Sequence, residues 1–179
     1  MKTDRTNNEL PQPDLFFKNL YSSYYKSMAI YAYSILGVKS SSNDVVQDVF
    51  LTLWEKRAQL DKIDNIKGYL FKAVKFKALD FLRAQQRQTQ KQATVEKEFY
   101  PQKMYHETSL EAAEFEEKIQ GYLKDLHPNY RQAIMLSRFS GLTNDQIAEV
   151  MNVSKKTVEN HLFRGLSLLK KQLSKNISE

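Results

Sequence analysis

Lys155, Lys156, Glu159, Asn160, Phe163 and Arg164 fall on one side of a helical wheel whose other side carries Val158, Leu162, Gly165 and Leu169. These are side chains that can read base pairs. Arginine pairs with guanine, asparagine with adenine, glutamate accepts from cytosine, and an aromatic ring can touch a thymine methyl. Ser154, Thr157 and the helix N-terminus beside them can hold phosphate. The chemistry on offer is groove recognition. Helical hairpins that never meet DNA share this geometry, so the row alone leaves both readings open.

A second set lies upstream. Lys67, Lys72, Lys75, Lys77, Arg83, Arg87 and Lys91 face a single acid, Asp80, and are interleaved with Tyr69, Phe71, Phe76 and Phe81. Cations can follow a phosphate backbone while aromatics stack on unpaired bases. An amphipathic helix with its rings in the core and its lysines in water would look the same. A third set, Asp44, Gln47, Asp48 and Glu55, lies opposite the apolar stripe Val45, Val46, Val49, Phe50, Leu53 and Trp54.

The elements that must position these groups are helices. Five Gly and four Pro in 179 residues, with 3.6-residue periodicity throughout and no β-branched alternation, predict an all-α protein. Asp14 can cap a first helix with Phe16, Leu20, Tyr24 and Met28 on one face and Gly37 as its stop. The run Ser40-Ser41-Ser42 offers caps for a second helix, and Asn65 for a third. Polar, Gln-rich sequence from Ala84 to about Glu107 reads as a linker, weakly helical at most. Thr108 with Glu111 forms a capping box for a fourth helix ending at His127-Pro128, and Pro128 opens a fifth that stops at Gly141. Thr143 with Gln146 caps a two-turn helix, Asn152 and Val153 supply a turn, and Ser154 caps the last helix. The boundaries predicted are a disordered tail (1–13), a helical domain (14–86), the linker (87–107), a second helical domain containing a helix-turn-helix (108–175) and a tail (176–179).

Composition narrows the partners. With 27 Lys+Arg against 21 Asp+Glu the net charge is +6, which favours a polyanion. There is no cysteine, and three scattered histidines do not predict a metal centre. No nucleophile–base constellation or phosphate-cradling glycine loop stands out, so neither an enzyme nor a cofactor nor a small-molecule substrate is expected. The polar N-terminus and the lack of a spanning apolar run predict a cytoplasmic protein.

The order NDVVQDVFLTLWEK (43–56), NIKGYLFKAVKFKALDFLRAQQR (65–87), polar linker and LHPNYRQAIMLSRFSGLTNDQIAEVMNVSKKTVENHLFRGL (126–166) resembles that of the extracytoplasmic-function (ECF) sigma factors of bacteria, over roughly residues 14–173. The resemblance implies two domains, regions 2 and 4, and a subunit that directs core RNA polymerase to promoter DNA. It implies that Asp44, Gln47, Asp48, Leu51, Trp54 and Glu55 dock the polymerase clamp helices. Asn65, Lys67, Tyr69, Lys72, Lys75, Phe76, Lys77 and Arg83 would capture the minus-10 element. Ser154, Lys155, Lys156, Thr157, Glu159, Asn160, Phe163 and Arg164 would read minus-35. Further implied partners are the polymerase flap and an anti-sigma factor, often membrane-anchored. Phe76 stands where many members carry a polar residue, and Glu159 where a basic or small one is frequent. A LuxR-type regulator binding operators as a dimer shares the helix-turn-helix pattern, but no βα pattern precedes residue 108 and the two upstream helices have no role in that reading.

Overall fold

The computed structural model describes residues 13–57, 60, 63–91 and 121–177. It contains α1 (Pro13–Leu36), α2 (Lys39–Glu55), α3 (Ile66–Lys91), α4 (Pro128–Ile134), α5 (Asn144–Met151) and α6 (Lys155–Ile177). A short helical stretch, 121–125, precedes α4, and no strand occurs among the described residues. The expected box at Thr108 and most of the fourth helix lie outside those residues, as do the N-terminal tail and most of the linker.

Most helix ends follow the residues that can cap them. Asn65 Oδ1 accepts from the Gly68 amide at 3.0 Å and opens α3. Pro128 occupies the first turn of α4, where its missing N–H costs nothing. Thr143 and Gln146 exchange side-chain and backbone hydrogen bonds in a complete capping box at α5. Gly37 and Gly141 take positive φ (70° and 60°), as stops require.

Several boundaries differ from the sequence expectation. α1 already begins at Pro13, so Asp14 lies inside the helix instead of at its cap position, and α6 runs to Ile177, two residues past the boundary at 175. α2 starts at Lys39, after an extended Val38, so Ser40–Ser42 lie inside its first turn; Ser42 Oγ donates to the Val38 carbonyl at 2.6 Å instead of capping. α3 continues to Lys91, five residues beyond the boundary at 86. α4 widens into one π-turn, Met135–Phe139, closed by the Ser140 amide donating to the Met135 carbonyl at 3.1 Å and seconded by the Ser140 hydroxyl at 3.3 Å.

α1, α2 and α3 enclose Met28, Tyr31, Val46, Val49, Leu53, Leu70, Phe71 and Val74. α4, α5 and α6 enclose Ala133, Ile134, Leu136, Ile147, Val150, Val158 and Leu169. The two halves touch, with α1 against α4 and α3 against α5, and their buried residues form one cluster.

Tyr31 is fully buried 5.8 Å from Phe71, its hydroxyl has no hydrogen-bond partner, and desolvation pushes its pKa far up. An unpartnered buried hydroxyl costs about 1–3 kcal/mol. Tyr31→Phe is therefore expected to hold or raise stability, by up to about 1 kcal/mol, read as the urea midpoint. A fall of similar size would mean that the hydroxyl has a partner.

Candidate nucleic-acid interface

The loop from Asn152 to Ser154 sets α6 against α5. Asn152 adopts the left-handed conformation (φ 56°, ψ 51°), which asparagine tolerates better than most residues, and its amide bonds back to the α5 carbonyls. Ser154 Oγ then accepts from the Thr157 amide at 3.1 Å and lies 2.8 Å from the Thr157 hydroxyl. Both hydroxyls suggested for phosphate thus also serve the N-cap of α6.

Val158, Gly165 and Leu169 are buried and Leu162 half-buried, which leaves Lys155, Lys156, Asn160, Phe163 and Arg164 exposed in one row with Glu159 half-buried at its edge. Phe163 is 74% exposed, so its ring is open to contact from outside the protein. Gly165 lets α6 cross α4 closely: a Cβ there would lie 2.8 Å from Ile134 Cδ1 and 3.1 Å from Tyr130 Cβ. Neighbours tune the charges. Asp145, 3.0 Å from Lys155, raises the lysine pKa through a hydrogen bond and then its charge. Lys156 pairs with Glu159 at 3.6 Å. Tyr130 raises the Arg164 pKa, first by a hydrogen bond, and its ring lies 5.4 Å from that of His161. His161 is held below the ordinary histidine pKa by desolvation, then by His127 and Arg164, consistent with a packing residue.

The set on α3 divides in two. Tyr69, Phe76, Lys77 and Arg83 are exposed, Phe76 at 56%. Lys77 lies 3.6 Å from Asp48 and Arg83 2.9 Å from Asp80. Asn65, Lys67, Lys72 and Lys75 instead face α5 and its flanking turns. Asn65 Oδ1 accepts from Gln146 Nε2 at 3.1 Å, Lys67 donates to the Gly141 carbonyl at 2.7 Å, and Lys72 lies 3.8 Å from Glu149. Lys75 donates to the carbonyls of Val150 and Met151 at 3.1 and 2.9 Å. Of the interleaved rings, Phe71 is fully buried core and Phe81 half-buried, so Tyr69 and Phe76 are the ones turned toward solvent.

On α2, Asp44, Gln47, Asp48, Leu51, Trp54 and Glu55 are all exposed, with Leu51 at 62%. Trp54 stands edge-on to Phe17 at 4.9 Å, under the Arg57 guanidinium at 4.4 Å. Phe17, Tyr21, Gln47, Phe50, Leu51 and Trp54 line an open apolar groove of about 370 Å³ between α1 and α2. The part played by Phe17 and Tyr21 escapes the sequence reading. The signal for it is a second i, i+4, i+8 row on α1, Phe17–Tyr21–Tyr25, beside the one that marks the core.

Among the described residues no cluster of three or more His, Cys, Asp or Glu side chains could hold a metal, and no helix is long and apolar enough to cross a membrane.

Comparison with known proteins matches residues 20–88 to sigma-70 region 2 and residues 116–169 to sigma-70, region 4, together well over half of the chain. The ECF RNA polymerase sigma factor SigM of Bacillus subtilis (strain 168) is 22% identical over 162 residues, 89% of this chain and 96% of its own length. The ECF RNA polymerase sigma factor SigE of Mycolicibacterium smegmatis is 26% identical over 155 residues, covering 83% of this chain and 58% of its own length. The sigma factor RpoE from Bartonella quintana, solved in complex with the anti-sigma factor NepR, shares the fold, with a TM-score of 0.69 at 21% identity over 89% of this chain and 97% of that one.

Proposed function

The chain belongs to the sigma-70 family, in its ECF group, as an alternative sigma subunit that directs RNA polymerase to promoters, and from that premise we propose how its surfaces divide the work. α6 reads minus-35 DNA through Lys155, Lys156, Glu159, Asn160, Phe163 and Arg164, with Ser154 and Thr157 at the phosphate. α3 and its leading turn take the minus-10 element: Asn65, Lys67, Lys72, Lys75, Lys77 and Arg83 follow the backbone or base edges, and Tyr69 and Phe76 stack on unpaired bases. The outer face of α2, Asp44 to Glu55, docks the clamp helices of core polymerase, and residues 108–175 add a contact to the flap. Bond formation stays with the polymerase, in the cytoplasm. An anti-sigma partner is in keeping with the relative solved with NepR.

The single observation that carries the assignment on α6 is its exposed row of base-reading types, backed by buried Val158, Gly165 and Leu169. The test is reconstitution with bacterial core polymerase on a promoter library. Core-dependent initiation from a defined minus-10/minus-35 class is expected. Binding to an operator as a free dimer without core binding would sink the reading. Within that assay Arg164→Ala should relax preference at one minus-35 base, with a loss of roughly 5- to 150-fold on the preferred sequence. An equal loss on every minus-35 sequence would make Arg164 a phosphate contact.

A further inference from the structure

The eight residues of α5 lie alongside the segment of α3 from Lys67 to Lys75, and each end of α5 is held by one of those lysines. At the leading end, Lys67 reaches the Gly141 carbonyl in the turn that enters the helix-turn-helix. At the trailing end, Asn152 and Val153 return their amides to the carbonyls of Ala148 and Glu149. That leaves the Val150 and Met151 carbonyls among those a helix end cannot satisfy by itself, and Lys75 takes both. A cation at this end also meets the negative pole of the helix. Asn65–Gln146 and Lys72–Glu149 fill the space between. Burial at this contact lowers the Lys75 pKa, consistent with an ammonium withdrawn from water.

We propose that the free protein is self-clamped, with Lys67, Lys72 and Lys75 of α3 engaged on α5, so that the clamp and minus-10 DNA compete for the same side chains. The inference rests on the assignment of α3 to the minus-10 element. The competition is selective. The recognition row on α6 and the groove between α1 and α2 stay exposed in the clamped form, whereas three cations of α3 are occupied by carbonyls and a carboxylate. A polymerase that must hold α3 open to DNA binds only the unclamped fraction, and its apparent affinity falls in proportion to that fraction.

Glu149→Lys probes the clamp at a residue outside the rows assigned to minus-35 DNA, to minus-10 DNA and to the clamp helices of the polymerase. Its side chain is 54% exposed, and a lysine there opposes Lys72 while suiting the C-terminal end of α5. Asp125→Lys, at an exposed residue that makes none of the clamp's contacts, controls for the added charge, and far-UV circular dichroism confirms helix content. In the full-length chain, lysines are acetylated with N-hydroxysuccinimidyl acetate and followed by mass spectrometry, and core polymerase binding is titrated in parallel. Lys67 and Lys75 of the wild type should react at least about fivefold more slowly than exposed Lys170. Glu149→Lys should erase that protection and tighten core binding by roughly threefold to tenfold over wild type and control. Wild-type Lys67 and Lys75 reacting as fast as Lys170 would overturn the clamp. Core binding by Glu149→Lys no tighter than by the control would overturn the competition. Protection that disappears as expected, with no protein binding core at all, would leave the clamp standing and refute the assignment of surfaces on which the competition rests.

Discussion

Gly165→Leu is expected to destabilise the α4–α6 half of the protein by about 3 kcal/mol and, through that, to abolish minus-35 recognition. Even the first added carbon meets resistance. A Cβ would sit 2.8 Å from the Ile134 methyl, which can swing aside, and 3.1 Å from Tyr130 Cβ, which is fixed to the α4 backbone. Leucine adds three more carbons in the same space. The helices must then separate, which strips contact from buried Ile134, Val158 and Leu169. Alanine separates the causes, since it needs the Ile134 methyl to swing aside and α4 to yield only slightly at Tyr130, and should cost about 1 kcal/mol while gaining helix propensity. Thermal unfolding of the full-length variants, with minus-35 duplex binding by the holoenzyme, checks both. A Gly165→Leu protein as stable as wild type would show that α4 and α6 are not packed as closely as this.

The second large effect is expected at Trp54. If the outer face of α2 docks the polymerase, Trp54 and Leu51 are its apolar anchors, ringed by Asp44, Gln47, Asp48 and Glu55. Tryptophan in such a setting commonly accounts for 2 kcal/mol or more of binding on truncation. Trp54→Ala should therefore weaken core association about 30-fold or more, measured by titration of labelled sigma with core polymerase. The ring also leans on Phe17 and beneath Arg57, so some loss of domain stability accompanies the change. The melting temperature reports that part separately. Leu51→Ala, at a side chain 62% exposed, should weaken docking with almost no effect on melting. Normal core binding by both variants would remove α2 from the interface.

What was legible in the sequence is what short-range chemistry decides. The caps at Asn65, Thr143–Gln146 and Ser154 and the left-handed Asn152 each depend on a side chain and a backbone group within three or four residues, so type and spacing reveal them. Ser40–Ser42 misled for the same reason in reverse. A serine in the first turn can bond backward to a carbonyl, and the extended Val38 had already started the helix. The π-turn at Met135–Phe139 has no residue-type signature, because it depends on the chain reaching Ser140 and Leu142 in register with buried neighbours. Least legible was the pairing of α3 with α5. Lys67 and Lys75 bind carbonyls, which every residue carries, so nothing in the partner's sequence announces the contact.

That pairing joins two parts of one chain, connected through residues 92–120. Its closing equilibrium therefore does not depend on how much protein is present, since each α3 meets its own α5 at an effective concentration on the order of millimolar. Dilution cannot open it and abundance cannot close it further. A competitor must instead prevail by affinity for α3 or for α5, or by bridging the separated halves. Making more of the protein raises the number of open molecules but never their share.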